Sequence, residues 1–185
     1  MSHSPSNPPS PLLRRYARLV GDAARAHDVE PALAWGVLWR ESAGEVWAYR
    51  YEPGWRWFTD HLGRPLGQGR QHAAQHLSPT EFNAQSASWG LMQVMGSVAR
   101  ELGHRGPIST LLVHPSEAVW LGCKKLGQLT YRFRGSIEDA VSAYNDGDGY
   151  ADRDNESYVE AVGLFRAQTL TNTELMEALN PPSPS

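Results

Sequence analysis

The sequence predicts a mainly α domain, α+β at most, with about six or seven helices around one irregular, aromatic-rich lobe that permits short strands. Three observations predict it. Outside residues 45–89, apolar residues recur at helical spacing, as in Leu33 and Val37 or Val119, Cys123 and Leu126. Helix-start chemistry stands at the heads of several segments: Pro31 suits a first turn, and Ser78-Pro79-Thr80-Glu81 and Ser136-Ile137-Glu138-Asp139 have capping-box spacing. Residues 45–89 instead gather Trp47, Tyr49, Tyr51, Trp55, Trp57, Phe58 and Phe82 among turn signals such as Glu52-Pro53-Gly54 and Gly63-Arg64-Pro65.

A first helix runs from about Pro11 to His27, with Leu12, Tyr16, Leu19, Val20 and Ala23 on one side. Asp28-Val29-Glu30 turns the chain, and Pro31 opens a second helix that stops near Gly44. In the lobe, alternation in Trp47–Tyr51 and Trp55–Trp57 permits short strands. It sets Trp55 and Trp57 on one side of a strand and Arg56 outward, with Trp57 expected in the core and Trp55 more exposed. Ser78 caps a short helix to about Gln85. From Gly90 a helical stripe of Leu91, Val94, Met95, Val98 and Leu102 is closed by Gly103. A long helix follows His114-Pro115 and ends at Gly135. The Ser136 helix reaches Tyr144. Beyond the Gly/Asp-rich turn 145–154, Tyr158, Val159, Val162 and Phe165 mark another helix, and Thr171-Asn172-Thr173-Glu174 caps a last one through Leu179. Residues 11–180 read as one domain, and residues 1–10 and 181–185, rich in Ser and Pro, as disordered tails.

Composition narrows the function classes. With 185 residues, 41% of them hydrophobic, the chain can bury one sizeable core. A net charge of -3 and a pI near 6.1 argue against a nucleic-acid partner, which calls for a concentrated basic field. The single cysteine, Cys123, lies in an apolar helical pattern and reads as a buried thiol. No apolar run is long enough to insert into a membrane, and residues 1–10 lack the basic start and apolar stretch of a secretory signal. Seven Trp and seven Tyr suit either a sugar-binding cleft or a tight core.

The second helix carries one carboxylate in an unusual place. Leu33, Val37 and Glu41 stack on one face, flanked by Ala34 and Leu38, so Glu41 emerges from the apolar side. Burial against Leu and Val would raise its pKa, as a general acid requires. A helix-end Glu that turns out to solvent is the alternative on this segment alone. Further along stand Ser88-Trp89-Gly90-Leu91-Met92-Gln93-Val94-Met95, then Ala143-Tyr144-Asn145-Asp146-Gly147, then Glu156-Ser157-Tyr158-Val159. With Glu41-Ser42, these resemble the four successive motifs of the lytic transglycosylase SLT family, written ES, GLMQ, AYNxG and a late Tyr. His114–Gly122, Leu126 and Phe133-Arg134-Gly135 are also similar to the family's spacer helix, so the resemblance covers about Leu19 to Phe165.

The resemblance implies a lysozyme-like fold, peptidoglycan glycan strands as partner, no cofactor, and Glu41 as the catalytic acid/base. Ser42, Gln93, Met95 and the backbone at Gly90 would line the glycan groove, Tyr144 would lie beside Glu41, Asn145 would fix the turn behind it, and Tyr158 could donate a hydrogen bond to the carboxyl group. Each has a plainer role open to it: Met95 shares a stripe with Leu91, Met92 and Val94 that reads as core, Asn145 supplies turn chemistry, and Tyr158 is an ordinary half-buried aromatic. Two departures stand out. Gly96 replaces a proline common after the second motif, and the segment from Glu41 to Gly90 is longer than the family's usual connection. That lip carries Arg50, Arg56, Arg64 and Arg70 against Glu52 and Asp60, and could hold a glycan by stacking and through its peptide carboxylates.

Hydrolytic glycosidases normally use a second carboxylate, and the defining positions of the motifs supply none. Family members use one Glu, which protonates the oxygen between MurNAc and GlcNAc and then helps the MurNAc C6 hydroxyl attack its own C1. The implied product is a 1,6-anhydro sugar. A goose-type lysozyme that hydrolyses the same bond is the nearest rival, with Glu52, Asp60 or Glu81 as its second carboxylate. A non-catalytic wall-binding or virion-structural module is the rival of another class. No metal is expected: His72 and His76 are one turn apart, but Ala73 stands where a zinc protease has Glu, and the run Asp146, Asp148, Asp152, Asp154, Glu156 lacks EF-hand spacing. A monomeric phage or prophage wall-degrading protein, made in the cytoplasm and acting on the bacterial wall as a lysis protein or virion component, is the expected setting.

Overall fold

In the computed structural model, residues 11–147 and 155–181 are described; the segment 1–10, most of the expected C-terminal tail and Asp148, Asp152 and Asp154 lie outside them. The fold is mainly α, as expected, with a few short strands. Helix α1 (Pro11–Ala26) is followed by α2 (Pro31–Ser42), which Pro31 opens and Ala43 closes in the left-handed region. Strands β1 (Tyr49–Tyr51), β2 (Trp57–Thr59) and β3 (Pro65–Gln68) and helices α3 (Arg70–His76) and α4 (Pro79–Gln85) form the lobe. The N-cap bond of α4 is made as its sequence dictates: Glu81 N–H donates to Ser78 Oγ at 3.2 Å.

The second motif departs from the helix expected there. Ala87–Trp89 (β4) and Val94–Met95 (β5) pair antiparallel, β4 also pairs with β1, and Gly90–Gln93 forms the turn between them. Gly90 at φ 71° and Gln93 at φ 45° are left-handed, which a helix cannot accommodate. Leu91, Met92 and Val94 show helix-like apolar spacing because the turn itself is buried against the core. Helix α5 (Gly96–Glu101) therefore begins only at Gly96, where a Cβ would meet the Ala84 carbonyl oxygen at 2.2 Å.

A 3-10 turn (Ile108–Leu112) leads into α6 (Pro115–Arg132), then α7 (Ile137–Asp146), α8 (Glu156–Thr171) and α9 (Thr173–Leu179). Ser136 accepts the capping bond of α7 from Asp139 N–H. The cap of α9 falls on Asn172, one residue later than expected, because α8 continues through Thr171. Asn145 lies in the last turn of α7 rather than in the turn behind it.

One connected core draws on α1, α2, the β4–β5 turn and α6 to α9, and includes Leu33, Leu38, Leu91, Met92, Leu126 and Tyr144. Helix α8 lies along α2. They approach closely at Gly36, where a Cβ would stand 3.0 Å from the Val162 carbonyl oxygen and 3.2 Å from Arg166 N. The Arg166–Glu30 ion pair joins the same two segments nearer the start of α2.

The lobe corrects the expectation for its two tryptophans. Trp57 is 50% exposed, whereas Trp55 is half-buried. Strand β2 starts at Trp57, so alternation turns Phe58 inward, where its ring stacks on Phe82 at 5.0 Å. Trp55 precedes the strand, and its indole N–H donates to the Trp57 carbonyl and to Ser97 Oγ, tying the lip to α5. Arg70, on the first turn of α3, holds the lobe from inside, with its guanidinium 4.7 Å from the Phe82 ring and hydrogen-bonded to the Trp55 carbonyl and the Tyr51 hydroxyl.

Candidate functional site

Glu41 occupies the last turn of α2, beyond the buried run Leu33, Val37 and Leu38. It opens on a cleft of about 350 Å³ between the helices and the lobe. Burial pushes its carboxyl group above the ordinary glutamate pKa, opposed by a hydrogen bond from Tyr158 and by the charges of Lys125, Arg50 and Arg40. The Tyr158 hydroxyl, from the first turn of α8, donates to Glu41 Oε1 at 2.6 Å. Tyr158 is itself buried and sits under the Arg40 guanidinium at 5.2 Å; burial beside Glu41 keeps it a phenol. A protonatable carboxyl group in a walled cleft can deliver a proton and take one back.

The remaining residues singled out in the sequence fall into two groups. Gln93, Met95, Tyr144 and Asn145 line the cleft with Glu41. The Gln93 amide is committed to its surroundings: Nε2 donates to the Ala48 and Gly90 carbonyls at 3.0 Å each, and Oε1 accepts from Ser88 Oγ at 2.8 Å. The Tyr144 hydroxyl donates to the Met92 carbonyl at 2.8 Å, so it anchors the second-motif turn to α7. Ser42 and Gly90 stand behind the wall. Ser42 Oγ donates to the Leu91 carbonyl at 2.8 Å and accepts from Gly44 N–H at 3.2 Å, pinning the end of α2 to the turn. Gly90 is packed against Leu111 and Ala118, where a Cβ would be 3.0 Å from a carbonyl oxygen.

Two residues that sequence reasoning missed are central here. Asn155 is 2% exposed; its Nδ2 donates to the Ser142 carbonyl and to Asp146 Oδ2, and its Oδ1 accepts from Asn145 Nδ2 at 2.7 Å. It thereby couples the start of α8 to the end of α7. Lys125 lines the cleft, and its Nζ donates to the Tyr144 carbonyl at 2.6 Å. Its signal was present in the sequence. A cation stands three residues after Gly122 and four before Leu129, on the apolar face of α6.

The candidate second carboxylates are placed differently from one another. Glu52 lines the cleft and is ion-paired with Arg50. Asp60 turns onto its own loop, where the Arg64 backbone N–H and side chain hold its pKa down. Glu81 is desolvated, yet the two-point bond with Arg100, the bond from Gln85 and the nearby His104 together outweigh that and hold it down as well. Asp146 lines the cleft and is bonded to Asn155. His72 and His76 lie on exposed turns of α3 with rings 4.3 Å apart. Among the described residues no group of three or more His, Cys, Asp or Glu is placed to hold a metal ion.

The family model of the transglycosylase SLT domain matches residues 18–163. That span contains every cleft residue described above. No solved structure matches the chain.

Proposed function

The chain belongs to the transglycosylase SLT domain family, whose lytic transglycosylases act on peptidoglycan, and from that premise we propose that it cleaves the β-1,4 bond between MurNAc and GlcNAc to leave 1,6-anhydro-MurNAc, with Glu41 as its single acid/base. The observation that carries this reading is Glu41 itself, a half-buried carboxyl group whose pKa desolvation raises, held by Tyr158 at the edge of a cleft. In the first step the Glu41 O–H bond breaks, the proton passes to the glycosidic oxygen, and the C1–O bond opens with positive charge on the ring. In the second, the C6 hydroxyl oxygen bonds to C1 and its proton returns to the Glu41 carboxylate. No water is consumed, and the enzyme ends as it began. A non-catalytic wall-binding module would have no use for an acid kept in this state.

Hydrolysis of the same bond is the second reading, favoured by Glu52 in the cleft. Its pairing with Arg50 weighs against Glu52 as a free base. On the lip, the half-exposed Trp57 and the exposed Arg56 face the cleft and suit a sugar ring and a peptide carboxylate. Digesting purified peptidoglycan in heavy-oxygen water and weighing the products tests the proposal. Unlabelled anhydro ends are expected; reducing ends carrying heavy oxygen would establish hydrolysis instead.

A further inference from the structure

The Lys125 side chain projects from the apolar face of α6, beside Gly122 and Leu126, and its head reaches the cleft that Glu41 lines. Its Nζ lies 4.1 Å from the Tyr144 ring centroid and donates to the carbonyl of that same residue at 2.6 Å. We propose that Lys125 is a positioning residue for catalysis: its ammonium sets the acid strength of Glu41 and stabilises the carboxylate left when the proton has gone to the glycosidic oxygen. The assignment rests on Glu41 being the acid/base of the reading above.

The charges around the pair define what the ammonium does. Glu41 faces Tyr158 from α8, Arg40 from its own helix, Arg50 from β1 and Lys125 from α6. Lys125 faces Glu41, Glu101 from the end of α5 and Asp146 from the end of α7. Burial brings the Lys125 pKa down to about 8, against the pull of those three carboxylates, so the group is a cation at neutral pH. A carboxyl group raised by burial alone would be a reluctant proton donor. A fixed cation lining the same cleft counters that by favouring the ionised product, while burial favours the protonated starting acid.

Lys125 also has a structural role available, since the Tyr144 carbonyl that it bonds lies in the last turn of α7, where a cation and donor suit the helix end. The two roles separate by substitution. Lys125→Gln keeps a donor for that carbonyl and removes the charge, Lys125→Met removes both, and Lys125→Arg keeps both. The Glu41 carboxyl group is titrated by NMR in each full-length variant, and the alkaline limb of glycan cleavage is measured alongside.

Both Gln and Met should raise the Glu41 midpoint, and move the alkaline limb upward, by about half a pH unit or more. Arg should restore the wild-type values. A Glu41 midpoint unchanged in Lys125→Gln overturns the proposal, as does a loss of melting temperature in Gln or Met with no shift in either titration. The NMR readout needs no turnover, so it stands apart from the outcome of Glu41→Gln, which tests the acid/base assignment alone. Should Lys125→Met not fold, the Gln and Arg pair decides.

Discussion

Tyr158 and Glu41, 117 residues apart in the chain, meet in a 2.6 Å O–H···O bond between the first turn of α8 and the last turn of α2. The donor stabilises the ionised carboxyl group and so lowers its pKa, against a larger upward push from burial. Tyr158→Phe should therefore raise the Glu41 midpoint and carry the alkaline limb of activity to higher pH. The lost bond should cost about 1–2 kcal/mol in a denaturant melt. A limb that moves to lower pH would contradict the assigned donor role.

Glu41→Gln should reduce wall digestion by orders of magnitude, because the amide fits the site and has no proton to transfer. Its effect on stability has the opposite sign. A carboxyl group whose folded pKa lies above its unfolded value gives stability that is complete below the unfolded pKa and lost as pH rises through the folded one. Above that folded midpoint the ionised Glu41 burdens the fold, so there the Gln variant should melt at the same temperature or higher. A variant that melts lower above the NMR midpoint of Glu41 but not below it would refute that sign.

Activity of the wild-type enzyme should fall as pH rises through the raised Glu41 midpoint, above the usual glutamate value near 4.5. NMR titration of the carboxyl group should give the same midpoint as the rate profile. A midpoint at or below the ordinary value would show that burial does not govern this group.

The lip tryptophans should separate stability from binding. Trp55→Ala removes the indole N–H that ties Trp57 and Ser97 together, and should cost about 2 kcal/mol or more. Trp57→Ala should leave the melting temperature nearly unchanged and weaken retention on glycan strands. Paired thermal melts and glycan pull-downs check both; a large stability loss for Trp57→Ala alone would reverse the roles.

Asn155→Ala should cost about 1–3 kcal/mol, because it removes a buried amide that bonds the buried Ser142 carbonyl and the Asn145 and Asp146 side chains. The larger effect should appear in turnover, as the end of α7 loses its connection to α8. Equal activity per folded molecule would restrict Asn155 to stability.

The helical frame was legible because it is written in local chemistry. Pro31, Ser78 and Ser136 mark their helix starts through groups that act within one turn. The β4–β5 turn was not legible, since its apolar residues are buried by long-range packing and their spacing imitates a helix. Trp55 and Trp57 were misjudged for a related reason: alternation gives the two faces of a strand but not the residue at which the strand begins. In the cleft, Glu41 stood out as a carboxylate on an apolar face. Asn155 did not, because a polar residue at a helix start reads as an ordinary cap, and its partners on α7 are revealed only when the two helices are brought together.

The contact at Gly36 gives the pair of helices a second meaning. Five residues before Glu41, the backbones of α2 and α8 touch with no side chain between them, and Tyr158 rides on one while Glu41 rides on the other. A single methyl group at that position would wedge the helices apart by a few tenths of an ångström, a strain that a packed core passes on along both axes. The part of the carboxyl group's proton affinity that comes from the Tyr158 bond thus depends on how closely two helices can be laid together. A lineage of such proteins could move its working pH by changing a residue that never meets the sugar.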